Sequence, residues 1–167
     1  MKVSELTGFL DRLIEDWSRE RPDLDIDHKQ LVYAIFILRS LFSREADETL
    51  TEWSLNFTSY GVLATLRRIG KPYRMTPGEL SRVLGLTTGG TSNILRRLED
   101  LGLVSRHRDD GDRRSVMVEL TALGKKTVDA AATTVTRNEA ARLGVLNARD
   151  RAMLYRLLRR VIATFGD

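Results

Sequence analysis

Cysteine is absent from the 167 residues, so disulfides, thiolate-bound metals and thiol redox switching are excluded by the covalent inventory alone. Only three prolines interrupt the chain, which favours helix. Histidine occurs twice, at His28 and His107, and neither has partners at the usual ligand spacing, so no metal site is expected. A zinc site joining His28 to Asp23, Asp25 or Asp27 is the remaining metal alternative. Long apolar runs are missing too: residues 31–38 form the longest, far too short for a hydrocarbon core of about 30 Å. Glu5 and Asp11 break the N-terminal stretch that a secretory signal needs. A cytoplasmic protein without a membrane partner is the expectation.

What is present is ordinary in amount, 42% hydrophobic and 30% charged, but uneven in placement. Residues 1–55 hold 7 basic and 12 acidic side chains, residues 56–120 hold 11 and 7, and residues 121–167 hold 9 and 4. The net charge of +4 therefore belongs to the middle and the end of the chain. Leu6, Phe9, Leu10, Leu13, Ile14 and Trp17 recur at spacings of three and four, which predicts an amphipathic helix stopped near Pro22. A second helix is expected to start on Asp27 as its cap. Because residues 31–38 are apolar on every side, it is expected to be enclosed by other helices. A third helix over 58–69 ends at Gly70.

Residues 76–79, Thr-Pro-Gly-Glu, supply a hydroxyl cap, a proline at the first helical position and a glutamate at the third, so the helix through Leu80, Val83 and Leu84 is well specified. After Gly85 and Leu86, residues 88–101 form another helix that Gly102 stops; two short helices joined by a glycine-bearing turn make a helix-turn-helix. A rotation of about 100° per residue gathers Ile94, Leu95, Leu98 and Leu101 on one side and sets Gly89, Ser92, Asn93 and Arg96 opposite. A slim polar face of this kind suits a major groove about 12 Å wide. Thr88 and Arg97 complete the candidate contacts on this helix. In isolation the same face would be plain solvent-facing surface; its neighbours on both sides favour DNA.

Residues 103–121, LVSRHRDDGDRRSVMVELT, read as a hairpin with a knot of opposite charges at its tip. Val116, Val118 and Leu120 alternate with Ser115, Met117 and Glu119, the period of a strand with one face inward. Asp109, Asp110 and Gly111 suit the turn. Asp112 and Arg114 lie two apart, on one side of extended backbone, where the carboxylate can hold the guanidinium outstretched toward a narrow minor groove. An exposed pair of this sort is worth at most about 1 kcal/mol, so its expected role is orientation. Arg106, Arg108 and Arg113 are then left for phosphates. A solvated turn with no function is the plainer alternative. Thr121 caps a helix to about residue 143, and Asn147 caps a last one striped by Leu154, Leu157, Leu158, Val161, Ile162 and Phe165.

The segment LGLTTGGTSNILRRLEDLGLVSR, the wing DRRSVMVELT with its Asp-x-Arg at Asp112 to Arg114, and the sequel LTALGKK resemble the MarR family of bacterial transcriptional regulators. The resemblance is strongest over residues 56–126 and follows the order of helices along nearly the whole chain. It implies a fold that is mainly α with a small β-wing, a winged helix-turn-helix flanked by N- and C-terminal dimerisation helices. The expected division is 1–55 for dimerisation and a wall of a ligand pocket, 56–120 for DNA, and 121–167 for dimerisation. It also implies a homodimer on a pseudo-palindromic duplex operator, acting as a repressor that a small aromatic or anionic ligand releases. Two wide apolar stripes at the chain ends argue for the dimer independently, the alternative being a monomer that folds them onto its own core. WSRERPDLD with Trp17, and VLATLRR ending at Arg68, resemble a urate-responsive subgroup in which an aspartate precedes VLA. Here that position is Gly61, which leaves a different anion as the candidate for Trp17 and Arg68.

Other chemistries fit less well. Residues 85–92 approach the phosphate-binding loop GxxxxGK[ST], but a threonine stands in place of the lysine and a helix, not a strand, precedes it. No pattern of catalytic residues stands out, so neither an enzyme nor a cofactor is expected. The competing class is a winged-helix module that binds an acidic protein surface rather than DNA.

Overall fold

The computed structural model describes residues 3–108 and 116–166. They form two compact units, Met1–Ala46 and Asp47–Asp167. No helix among the described residues is long and apolar enough to cross a membrane.

In the first unit α1 spans Val3–Glu20 and is followed by a turn in which Arg21 pairs with Asp23 at 2.7 Å and Ile26 is buried. The Lys29 ammonium sits 5.4 Å from the centre of the Trp17 ring. Helix α2, Lys29–Leu50, begins two residues later than the expected cap at Asp27, which lies in the preceding turn. Its apolar run is not enclosed: Leu31, Phe36 and Leu38 are exposed, Phe36 by 62%. Apolar residues on every side of a helix signal a need for cover, and at these positions the first unit does not supply it among the described residues.

The second unit is ordered by side-chain caps. A short 3-10 turn, Thr51–Trp53, leads to α3, Phe57–Arg68, whose start is fixed by a reciprocal box between Asn56 and Ser59. The Asp47 carboxylate adds a bond from the Phe57 N–H at 2.6 Å. Gly70, at φ 81°, turns the chain out of the helix into β1, Arg74–Met75. Helix α4, Pro77–Leu84, has the expected Thr76 and Glu79 capping box. Then come α5, Thr88–Asp100, strands β2, Val104–Arg108, and β3, Val116–Leu120, helix α6, Ala122–Leu143, and α7, Ala148–Ile162, which runs on as the 3-10 turn Ala163–Phe165. Thr121 and Asn147 cap α6 and α7 as expected.

The sheet has three strands, not two, in the antiparallel order β1-β3-β2. Strand β1 escapes a sequence reading because two residues cannot display alternation. What holds it is Tyr73, whose carbonyl accepts the Leu120 N–H at 3.1 Å and whose ring lies near the Arg67 guanidinium and the Lys125 ammonium. Arg67 in turn reaches Asp129 of α6 at 2.7 Å. Val62, Leu63 and Leu66 of α3, Leu80 of α4, Leu95 and Leu98 of α5, Val118 of β3 and Val128 of α6 are fully buried and form the core. No residue of α7 is buried.

Candidate nucleic-acid interface

The turn between α4 and α5 is set by Gly85 at φ 63°, whose N–H bonds back to the Ser81 carbonyl. Thr87, one residue before the expected start, is the cap of α5: its hydroxyl accepts the Gly90 N–H at 3.1 Å. That places Thr88 in the first helical position, exposed. The two helices are clamped by hydroxyls. Ser81 Oγ lies 2.8 Å from Thr91 Oγ1, and Thr91, 1% exposed, donates to the Thr87 carbonyl at 3.0 Å. Reading the sequence for polar surface missed Thr91. Its signal was spacing: it precedes Leu95 by four and Leu98 by seven, on the buried stripe.

The outer face emerges as expected. Gly89, Asn93 and Arg96 are exposed and Ser92 is half-buried, while Leu95 and Leu98 point into the core. Ile94 is only half-buried and Leu101, beyond the last helical residue, is exposed. The remaining arginines divide. Arg108 is exposed at the end of β2. Arg97 donates to the Ser54 carbonyl at 2.8 Å and so ties α5 to the turn before α3. Arg106 lies against α5, with Nε 3.2 Å from Glu99 Oε2 and Nη2 donating to the Ser92 carbonyl at 3.4 Å. Neither bond was foreseen, because partners 43 and 14 residues away leave no periodic trace.

The hairpin pairs from Val104↔Leu120 to Arg108↔Val116. Val118 and Leu120 face inward, but Val116, nearer the tip, is 43% exposed. Asp112, Arg113 and Arg114, with the rest of 109–115, lie outside the described residues. The base of the wing is fixed by Thr121-x-x-Gly124. Thr121 Oγ1 donates to the Gly102 carbonyl at 2.8 Å and accepts the Gly124 N–H at 2.9 Å. A Cβ on Gly124 would fall well inside contact with the Leu103 carbonyl, so glycine alone lets α6 start there.

Trp17, 37% exposed, belongs to the first unit; Arg68, exposed at the end of α3, belongs to the second.

Residues 53–115 match the MarR family. The HTH-type transcriptional regulator PecS of Dickeya dadantii is 30% identical over 149 residues, covering 89% of this chain and 90% of that protein. The HTH-type transcriptional repressor NicR of Pseudomonas putida is 32% identical, with 74% and 73% covered. Among solved structures, a mutant MarR from E. coli complexed with operator DNA superposes with a TM-score of 0.71 at 25% identity, covering 87% of this chain and 96% of that one. With a capped helix-turn-helix, a three-stranded wing and a relative aligned nearly end to end, this chain belongs to the MarR family of transcriptional regulators.

Proposed function

We propose that the protein represses transcription as a homodimer, seating two copies of α5 in successive major grooves of a pseudo-palindromic operator and leaving the DNA when a small aromatic or anionic ligand binds. The observation that carries this is the outer face of α5, slim, polar and exposed beside the wing. On this reading Thr88, Ser92, Asn93 and Arg96 meet base edges or nearby phosphates, and Arg108 and Arg113 hold phosphates. Arg114, oriented by Asp112, enters the minor groove.

The dimer is supported by α7, where Leu154, Leu157, Val161 and Ile162 remain exposed, and by Phe36 of α2. A twofold axis would set the two reading helices about 34–36 Å apart, one turn of DNA. Residues 1–55 and 121–167 would then serve dimerisation and 56–120 the operator. For the ligand, Trp17 and Arg68 are each candidate contacts, supported by the aromatic ring of one and the exposed charge of the other.

The test is a salt titration with duplex DNA from the region flanking the protein's own gene. Log affinity should fall linearly and steeply with log salt; a flat response, or no binding near about 50 mM salt, rejects the reading. Asn93→Ala should cost about 1–3 kcal/mol and relax preference at particular base pairs. Equal loss on every sequence would contradict base readout.

A further inference from the structure

In β2, Arg106 turns its guanidinium back onto α5. Its Nε is buried and, without making a hydrogen bond, lies 3.2 Å from Glu99 Oε2 as an ion pair, while Nη2 donates to the Ser92 carbonyl at 3.4 Å. Ser92 and Glu99 are seven residues apart, two turns along one face of the helix. One planar group therefore spans α5 from the end that carries Ser92, Asn93 and Arg96 to its C-terminal turn. On the strand side the anchorage is equally firm, since Arg106 is registered against Val118, which is fully buried. To bind a phosphate instead, Arg106 would have to leave both partners and abandon a carboxylate beside a polyanion. Its charge is already answered within the chain.

We propose that Arg106, with Glu99, is a positioning residue for base readout: the pair fixes the angle between the recognition helix and the wing strand, and with it the reach of Ser92, Asn93 and Arg96. The inference rests on the DNA-binding reading above. It uses the fork geometry of arginine, which lysine cannot reproduce.

The experiment uses the full chain and two duplexes, an operator found by footprinting and a scrambled control, titrated over a range of salt. Two variants preserve net charge, Arg106→Lys and the double Glu99→Gln/Arg106→Gln; Arg96→Ala tests the underlying reading. In both charge-preserving variants the ratio of operator to scrambled affinity should fall about fivefold to tenfold, the low end of what one misread base pair costs. Affinity for the scrambled duplex and the salt slope should stay unchanged. A phosphate anchor would behave differently: the double variant would lose affinity on both duplexes together and its slope would drop by about one, which overturns the proposal. A lower melting temperature with the ratio intact would show a purely structural brace and also overturn it. Should the double variant fail to fold, Arg106→Lys decides alone. If the wild type shows no salt-dependent binding and Arg96→Ala changes nothing, the DNA reading falls and this inference with it. Salt-dependent wild-type binding with the ratio unmoved in the variants rejects Arg106 alone.

Discussion

Helices α5 and α7 each begin on a side chain that caps an early N–H, Thr87 in one and Asn147 in the other, and each carries apolar residues at spacings of three and four. In α5 the stripe is closed: Thr91, Leu95 and Leu98 are buried, and Ser81 of α4 meets Thr91 hydroxyl to hydroxyl. In α7 nothing is buried, and Leu154, Leu157, Val161 and Ile162 stay exposed, with Phe165 just beyond at 86%. Amphipathic spacing thus states that a face must be covered, but not whether the same chain covers it. Within the helix-turn-helix the stripe is covered by neighbouring elements, whereas along α7 it stays open.

The contrast predicts different responses to truncating the two stripes. Leu98→Ala opens a cavity in a closed core and should lower the unfolding free energy by about 2–5 kcal/mol. Urea denaturation should show this loss at every protein concentration. Leu157→Asp should act on assembly instead, weakening self-association by about 2 kcal/mol or more, as a buried contact at an interface does. Sedimentation should then find monomer where the wild type gives the proposed dimer, with the helix-turn-helix still folded. If Leu157→Asp leaves the oligomeric state untouched, the exposed stripe is not the dimer seam and the comparison loses its meaning.

Gly124→Ala probes the closed side from a third direction. The added methyl would press on the Leu103 carbonyl, at the joint where α5 gives way to β2, and overpacking of this kind costs about 1–3 kcal/mol. The loss should appear in thermal unfolding of the isolated chain and leave self-association through α7 unchanged. A variant as stable as the wild type would mean that the joint yields.

Much of this was legible in the chain itself, because caps and glycines are local signals. Thr76, Glu79, Thr121 and Asn147 announced three helix starts, and Gly70 and Gly102 announced two ends, each now seen at positive φ. The exposed polar face of α5 followed from helical geometry alone. What stayed hidden was made by contacts between distant segments. Strand β1 exists because Tyr73 meets Leu120, and Arg97 and Arg106 find partners in Ser54 and Glu99. An arginine on a DNA-binding helix or wing looks the same in sequence whether it faces a phosphate or its own backbone. The second helix raises the question that separates α5 from α7: its apolar run calls for cover, and Phe36 is exposed.

The smallest effects lie in the caps, where they ask whether burial is all that distinguishes the closed region. Thr76→Ala removes the hydroxyl that accepts the Glu79 N–H and should cost about 1 kcal/mol in urea unfolding near neutral pH. Glu79 has a smaller, pH-dependent share. The Thr76 N–H and hydroxyl both donate to its Oε2, at 2.8 and 2.9 Å, and these bonds hold its carboxyl below the ordinary carboxylate value in the folded chain. A carboxylate lowered by folding stabilises above its unfolded value and ceases to do so as pH falls through its folded value. Glu79→Gln keeps an acceptor but not the charge, so the wild type should exceed it in stability near neutrality and the two should converge on acidification. A gap that persists unchanged into acid would show that the charge of Glu79 plays no part in starting α4.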